Sequence, residues 1–147
     1  MFFLKELPSR QMVDGYADQF ADVDVDRVLD ALRLMRRASL LIRELEAYFA
    51  RHDLSQLRFL MMILIDREPE RNCLAASEIA ERLDVSRPVV TRTLQGLERA
   101  GLIAISENSE YARSRNVTLT LSGKAKLDEV LPGYFAILHR PDPAADK

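Results

Sequence analysis

Hydrophobic positions recur every three or four residues along most of this chain and every second residue in one stretch after Gly101. The longest helical period runs from Asp26 to Arg51. There Val25, Val28, Leu29, Leu32, Met35, Leu41, Ile42, Leu45, Tyr48 and Phe49 keep the 3-4 spacing, with Arg33, Arg36, Arg37, Arg43 and Glu44 outside it. At 1.5 Å per residue such a helix spans roughly 39 Å. That exceeds what a compact domain of this size needs, so it is expected to span between domains or to form an oligomer interface. Ahead of it, Phe2, Phe3 and Leu4 precede Met12, Tyr16 and Phe20 at helical spacing, which predicts a short N-terminal helix or arm with an acidic surface. Apolar residues exposed at a chain end pack onto something, and a second subunit is one candidate.

Asp53-Leu54-Ser55 breaks the long helix, and Ser55 caps a second one whose expected inner face is Leu57, Leu60, Met61 and Leu64, stopped by Pro69. Leu74 to Ala76 reads as a short strand. Ser77 to Leu83 reads as a third helix burying Ile79, Ala80 and Leu83, and Asp84-Val85 is a very tight connection to the next.

That next stretch, Asp84 to Leu102, carries a complete set of helix signals. Ser86 is the N-cap, Pro88 lies in the first turn where its missing N–H costs nothing, and Gly101 supplies the left-handed residue past the end. Val90, Leu94 and Leu97 form a buried stripe, while Arg87, Thr91, Arg92 and Gln95 lie on the polar face. Guanidinium, hydroxyl and amide groups near the start of a helix suit hydrogen bonding to base edges and phosphates in a major groove. They equally suit an ordinary solvated helix face. Two short helices joined by so brief a turn make a helix-turn-helix.

After Gly101 the period becomes two. Leu102 to Ile105 and Val117 to Leu121 read as a β-hairpin around a polar tip from Glu107 to Asn116. Thr120 or Ser122 then caps a final helix containing Leu127, Val130 and Leu131, which Pro132-Gly133 is expected to break or kink before Tyr134 to Leu138.

Composition narrows the classes. The 147 residues are enough for one domain with a real core, and 48% hydrophobic with 30% charged residues is the balance of a soluble globular protein. Net charge is −2, but nine Lys and Arg oppose six Asp and Glu between Arg71 and Lys126, leaving the excess acid elsewhere. Charge segregated in this way fits a chain in which one part meets phosphate. One cysteine excludes an intrachain disulfide, and the greasy first residues have neither the basic start nor the length of a signal or a membrane span. A cytoplasmic protein without membrane association is expected.

Leu54-Ser55 with Phe59 and Leu64, Ser77 to Leu83, Val85-Ser86, Val90-Thr91-Arg92, Leu97 to Ile103, and Val117 to Thr120 with Gly123 occur in order and at spacings such that Leu54 to Leu127 resembles the MarR family of winged helix-turn-helix transcription regulators. The expected fold is mostly α (α+β), a winged helix-turn-helix with long N- and C-terminal dimerisation helices. The resemblance implies a homodimer on double-stranded DNA, each recognition helix in a major groove and each wing against the adjacent minor groove. Ser86 and Arg87, with Pro88, then meet phosphate at the helix start, and Thr91, Arg92 and Gln95 approach bases or backbone. The family's wing-tip Asp-x-Arg falls on Asn108 and Glu110, and a carboxylate there is repelled by the groove's negative potential. Arg113 and Arg115 are the nearest substitutes; a salt-bridged, solvated loop is the other reading.

Catalytic and metal chemistry have no residues to stand on. Two distant histidines and one cysteine make no zinc set, and five glycines leave no phosphate loop, so no enzyme and no cofactor are expected. Cys73 is expected as a buried small residue rather than an oxidant sensor. Tyr16, Tyr48, Phe49, Phe59, Met61 and Met62 are either core or the lining of an effector pocket, and the ligand-binding residues stay unknown. The expected organisation is a scaffold and dimerisation part over 1–68, a DNA-binding lobe over 69–121 and a C-terminal dimerisation helix over 122–147. The expected function is a regulator, a repressor on a palindromic operator, with release by a small-molecule effector open; the alternative is a dimeric winged-helix adaptor that binds protein instead of DNA.

Overall fold

Ser9, Ser55 and Thr120 each accept a hydrogen bond from an N–H three residues ahead, at 3.3, 3.2 and 3.0 Å, and each opens a helix. In the computed structural model, which describes residues 2–20, 22–68, 73–107 and 115–140, these helices are α1 (Arg10–Ala17), α3 (Gln56–Asp66) and α6 (Leu121–Leu138). Between them lie α2 (Val25–Ala50), β1 (Leu74–Ala75), α4 (Ala76–Arg82), α5 (Arg87–Arg99), β2 (Ile103–Glu107) and β3 (Arg115–Leu119). The three strands form one antiparallel sheet in the order β1-β3-β2, with Leu74 opposite Val117 and Ile103 opposite Leu119. This is a mostly helical winged helix-turn-helix, as the sequence pattern predicts. No helix of the described residues is long and apolar enough to cross a membrane.

The chain divides into two compact units, Met1–Leu45 and Glu46–Lys147. In the first, Arg43 Nη2 donates to the Phe2 carbonyl and Arg36 Nη1 to the Leu4 carbonyl, each at 2.9 Å, and Arg10 donates to Asp26 at 2.6 Å. Phe2, Val13, Leu29 and Leu45 are buried. Much of the apolar stripe is bare: Met12, Tyr16 and Phe20 of the arm and Val28, Leu34, Met35, Leu40, Leu41 and Ile42 of α2 are exposed. A helix of 26 residues carries more apolar surface than these few elements cover.

The second unit is built on an aromatic stack. Phe49 and Phe59 rings lie 4.4 Å apart, Phe59 and Tyr134 4.7 Å, and the Tyr48 hydroxyl donates to the Val130 carbonyl at 2.8 Å. Phe49, Phe59, Met61 and Met62 are fully buried and Tyr48 nearly so, which places these residues in the core. On α3 the inner face is Phe59, Met61, Met62 and Ile65, not the expected Leu57, Leu60, Met61 and Leu64; those three leucines are half-buried. A helix apolar on nearly every side does not announce its inner face. Ala80 and Leu83 are likewise half-buried, as is Cys73. α6 runs through Pro132 without a break. Pro132 deprives the Asp128 carbonyl of its helical donor, yet the helix persists because Val130 and Ile137 are buried on either side of it. Gly133 makes room for Tyr48, whose ring would collide with any Cβ there. Pro69 and residues 108–114 of the hairpin tip lie outside the described residues; Glu107, Arg115 and Asn116, expected in the tip, are paired in the strands, which run further than the alternation predicts, and α3 ends at Asp66.

Candidate nucleic-acid interface

The α4–α5 pair is held by Ile79 from one helix and Val90, Leu94 and Leu97 from the other, all at most 3% exposed. Glu78 accepts from the Ala75 N–H at 2.8 Å to fix the start of α4. α5 ends with the Gly101 N–H on the Glu98 carbonyl (2.9 Å) and the Leu102 N–H on the Leu97 carbonyl (3.0 Å), with Gly101 at φ 73°. That pair of bonds is the Schellman stop anticipated from Gly101. The start is different: Ser86 is at the N-cap, but its hydroxyl accepts no capping bond. No side chain among the described residues caps the first-turn N–H groups at the positive end of the helix.

Burying Val90, Leu94 and Leu97 turns the opposite side of α5 outward. Ser86, Arg87, Pro88, Thr91, Arg92 and Gln95 are all exposed there. Helical spacing sorts them: Pro88, Arg92 and Gln95 continue to Arg99 as the outermost stripe, while Arg87 and Thr91 lie on one flank with Glu98. Arg115 opens β3 and is exposed; Arg113, Asn108 and Glu110 lie outside the described residues. Three residues of this surface do not stand out in the sequence. Arg99 has the look of an ordinary last-turn charge, and Val85 and Val89 are of a core-forming type, yet the two valines are exposed at 37% and 39% beside Pro88.

The arginines divide by location. Those at positions 10, 27 and 33 pair with Asp26, Asp24 and Asp30, and Arg36 and Arg43 bond main-chain carbonyls. Arg87, Arg92 and Arg99 have no hydrogen-bond or ion-pair partner among the described residues. Guanidinium groups on a packed helix and without an internal acceptor are open to an external one. Among the described residues no group of three or more His, Cys, Asp or Glu is placed to hold a metal ion.

The sequence profile of the MarR family matches residues 52–114. The transcriptional repressor YetL of Bacillus subtilis is 32% identical over 134 residues, covering 90% of this chain and 79% of that protein. The chain belongs to the MarR family. Its members are transcriptional regulators, and the fold agrees. Sco3205, a MarR family regulator of Streptomyces coelicolor solved in complex with DNA, superposes with a TM-score of 0.75 at 18% identity, over 84% of this chain and 81% of that one. AbsC, a MarR family regulator from the same organism, gives 0.72 at 19% identity over 80% and 78%. The region matched by the MarR profile contains α3, α4, α5 and β2, the elements that position the α5 surface.

Proposed function

We propose that this MarR-family chain is a homodimeric DNA-binding repressor whose two α5 helices enter major grooves of a roughly palindromic operator, with half-sites about 10 bp apart. The observation that carries this reading is the outer stripe of α5, where Arg92 and Arg99 flank Gln95 with no acceptor of their own. The repressor name borne by YetL and the DNA bound to Sco3205 support it by analogy.

In this reading Arg92 and Gln95 reach base edges, Thr91 a base or the backbone, and Ser86, Arg87 and the first turn past Pro88 a phosphate. Val85 and Val89 present methyl groups of the kind that pack against a thymine methyl. Arg115, with Arg113, is the wing's cationic contribution. Residues 1–68 serve as scaffold and dimerisation part, 69–121 as the DNA lobe and 122–147 as a second dimerisation helix. The exposed apolar face of α2 supports the dimer, because a stripe from Leu34 to Ile42 left in water favours association. A small-molecule effector releases such a dimer only by binding one spacing of its recognition helices better than the other. The protein acts in the cytoplasm, where its DNA is.

Selection of the purified protein on random duplexes, followed by fluorescence anisotropy against the enriched sequence and an unrelated duplex at several salt concentrations, tests the reading. Nanomolar, sequence-selective binding whose log affinity falls linearly with log salt is expected. Failure to enrich any duplex overturns it and leaves the adaptor function.

A further inference from the structure

Arg58 is the third residue of α3, and its N–H takes part in the Ser55 cap at 3.2 Å. Its side chain is half-buried and reaches α5. There it meets Gly96, in the interior of the helix: an ideal Cβ built on Gly96 lies 2.6 Å from Arg58 Nη2, 3.5 Å from Cζ and 3.7 Å from Nε. Side-chain carbons do not approach a guanidinium nitrogen that closely, so the group occupies the notch that the missing side chain leaves. A glycine inside a helix costs about 1 kcal/mol relative to alanine. Here it leaves room for the end of the Arg58 side chain.

Position 96 follows Arg92 by one turn and precedes Arg99 by another. The Arg58 guanidinium therefore lies over a level of α5 midway between two exposed arginines. It has no hydrogen-bond or ion-pair partner among the described residues. A guanidinium is charged at any ordinary pH and carries five N–H donors, and none of the Arg58 nitrogens is sealed from solvent. Its donors are therefore open to an acceptor from outside.

We propose that Arg58 is a phosphate-contacting residue, delivered from α3 through the Gly96 notch to the backbone of the duplex that α5 engages. This rests on the DNA-binding reading above. Phosphate rather than a base edge is the fitting acceptor, because the group is seated beside the body of α5 instead of on its outermost stripe, and a guanidinium fork matches two phosphate oxygens. It also lies outside the helix-turn-helix, on a helix that buries Phe59, Met61, Met62 and Ile65.

Anisotropy titrations with the selected duplex and an unrelated one test this, using R58Q, R58K, G96A and the R58Q/G96A pair, with thermal melts as the folding control. R58Q is expected to lower the slope of log affinity against log salt by about 0.9 for each phosphate that the arginine no longer neutralises, or about 1.8 per dimer, and to weaken both duplexes by the same factor. R58K keeps the charge and most of the slope. G96A is expected to weaken binding as R58Q does, while the double variant binds no worse than R58Q alone. An unchanged slope in R58Q, a loss confined to the selected duplex, or a further loss from G96A in the R58Q background overturns the proposal. If the unaltered protein binds neither duplex, the DNA-binding reading itself has failed, which is a separate outcome.

Discussion

The Thr120 hydroxyl donates to the Gly101 carbonyl at 2.6 Å and accepts from the Gly123 N–H at 3.0 Å. One side chain thus joins the stop of α5 to the start of α6, and the Thr120 N–H adds a bond to the Leu102 carbonyl at 3.1 Å. Thr120→Ala is expected to destabilise the fold by about 1–2 kcal/mol in denaturant unfolding. Gly123→Ala drives a Cβ into the Leu102 carbonyl and is expected to cost about 3 kcal/mol. Equal, small effects from the two changes would show that this junction is not tightly packed.

Arg92→Ala is expected to weaken binding to the selected operator by about 1–3 kcal/mol, with a smaller loss on an unrelated duplex, since a base-reading arginine contributes chiefly to selectivity. Equal losses on both duplexes reassign Arg92 to the backbone.

Val89, exposed beside Pro88, predicts sensitivity to a thymine methyl. Replacing single thymines of each half-site with uracil is expected to reveal one position where removal of the methyl costs about 0.8 kcal/mol. In Val89→Ala that penalty shrinks; its persistence at full size places the contact elsewhere.

Leu41 is exposed on α2, so Leu41→Asp is not expected to disturb the fold of the chain itself. Sedimentation equilibrium is expected to find a monomer with unchanged helical circular dichroism. A well-folded dimer excludes this face from the interface.

Glu129 accepts from Lys126 at 2.9 Å and pairs with His52 at 2.8 Å, and these hydrogen bonds, that from Lys126 foremost, hold its carboxyl below the usual value. A carboxyl lowered in the folded state contributes stability that is complete above its unfolded value and disappears as pH falls through the folded one. The stability difference between the unaltered protein and Glu129→Gln is therefore expected to be largest near neutrality and to narrow in acid. A difference that widens as pH falls contradicts the assignment.

Hydroxyl caps at Ser55 and Thr120, the glycine stop at 101 and the alternation after it are local signals. Each can be read because the atoms that bond lie within a few residues of one another. The α4–α5 pair and the exposed face of α5 were legible for the same reason. The inner face of α3 was not: Gln56 to Asp66 is apolar almost all round, and only tertiary packing, such as that of Phe59 on Phe49 and Tyr134, selects Phe59, Met61, Met62 and Ile65.

The sequence by itself determined the order of the helices and strands, and that a polar face with Arg87, Thr91, Arg92 and Gln95 turns away from Val90, Leu94 and Leu97. Tertiary structure alone decided that α6 survives Pro132, that Tyr48 sits against Gly133, and that Arg58 lies across Gly96. The physical reason is range. Caps and periods are set by neighbours along the chain, whereas a notch and its occupant, 38 residues apart here, exist only once two helices are packed.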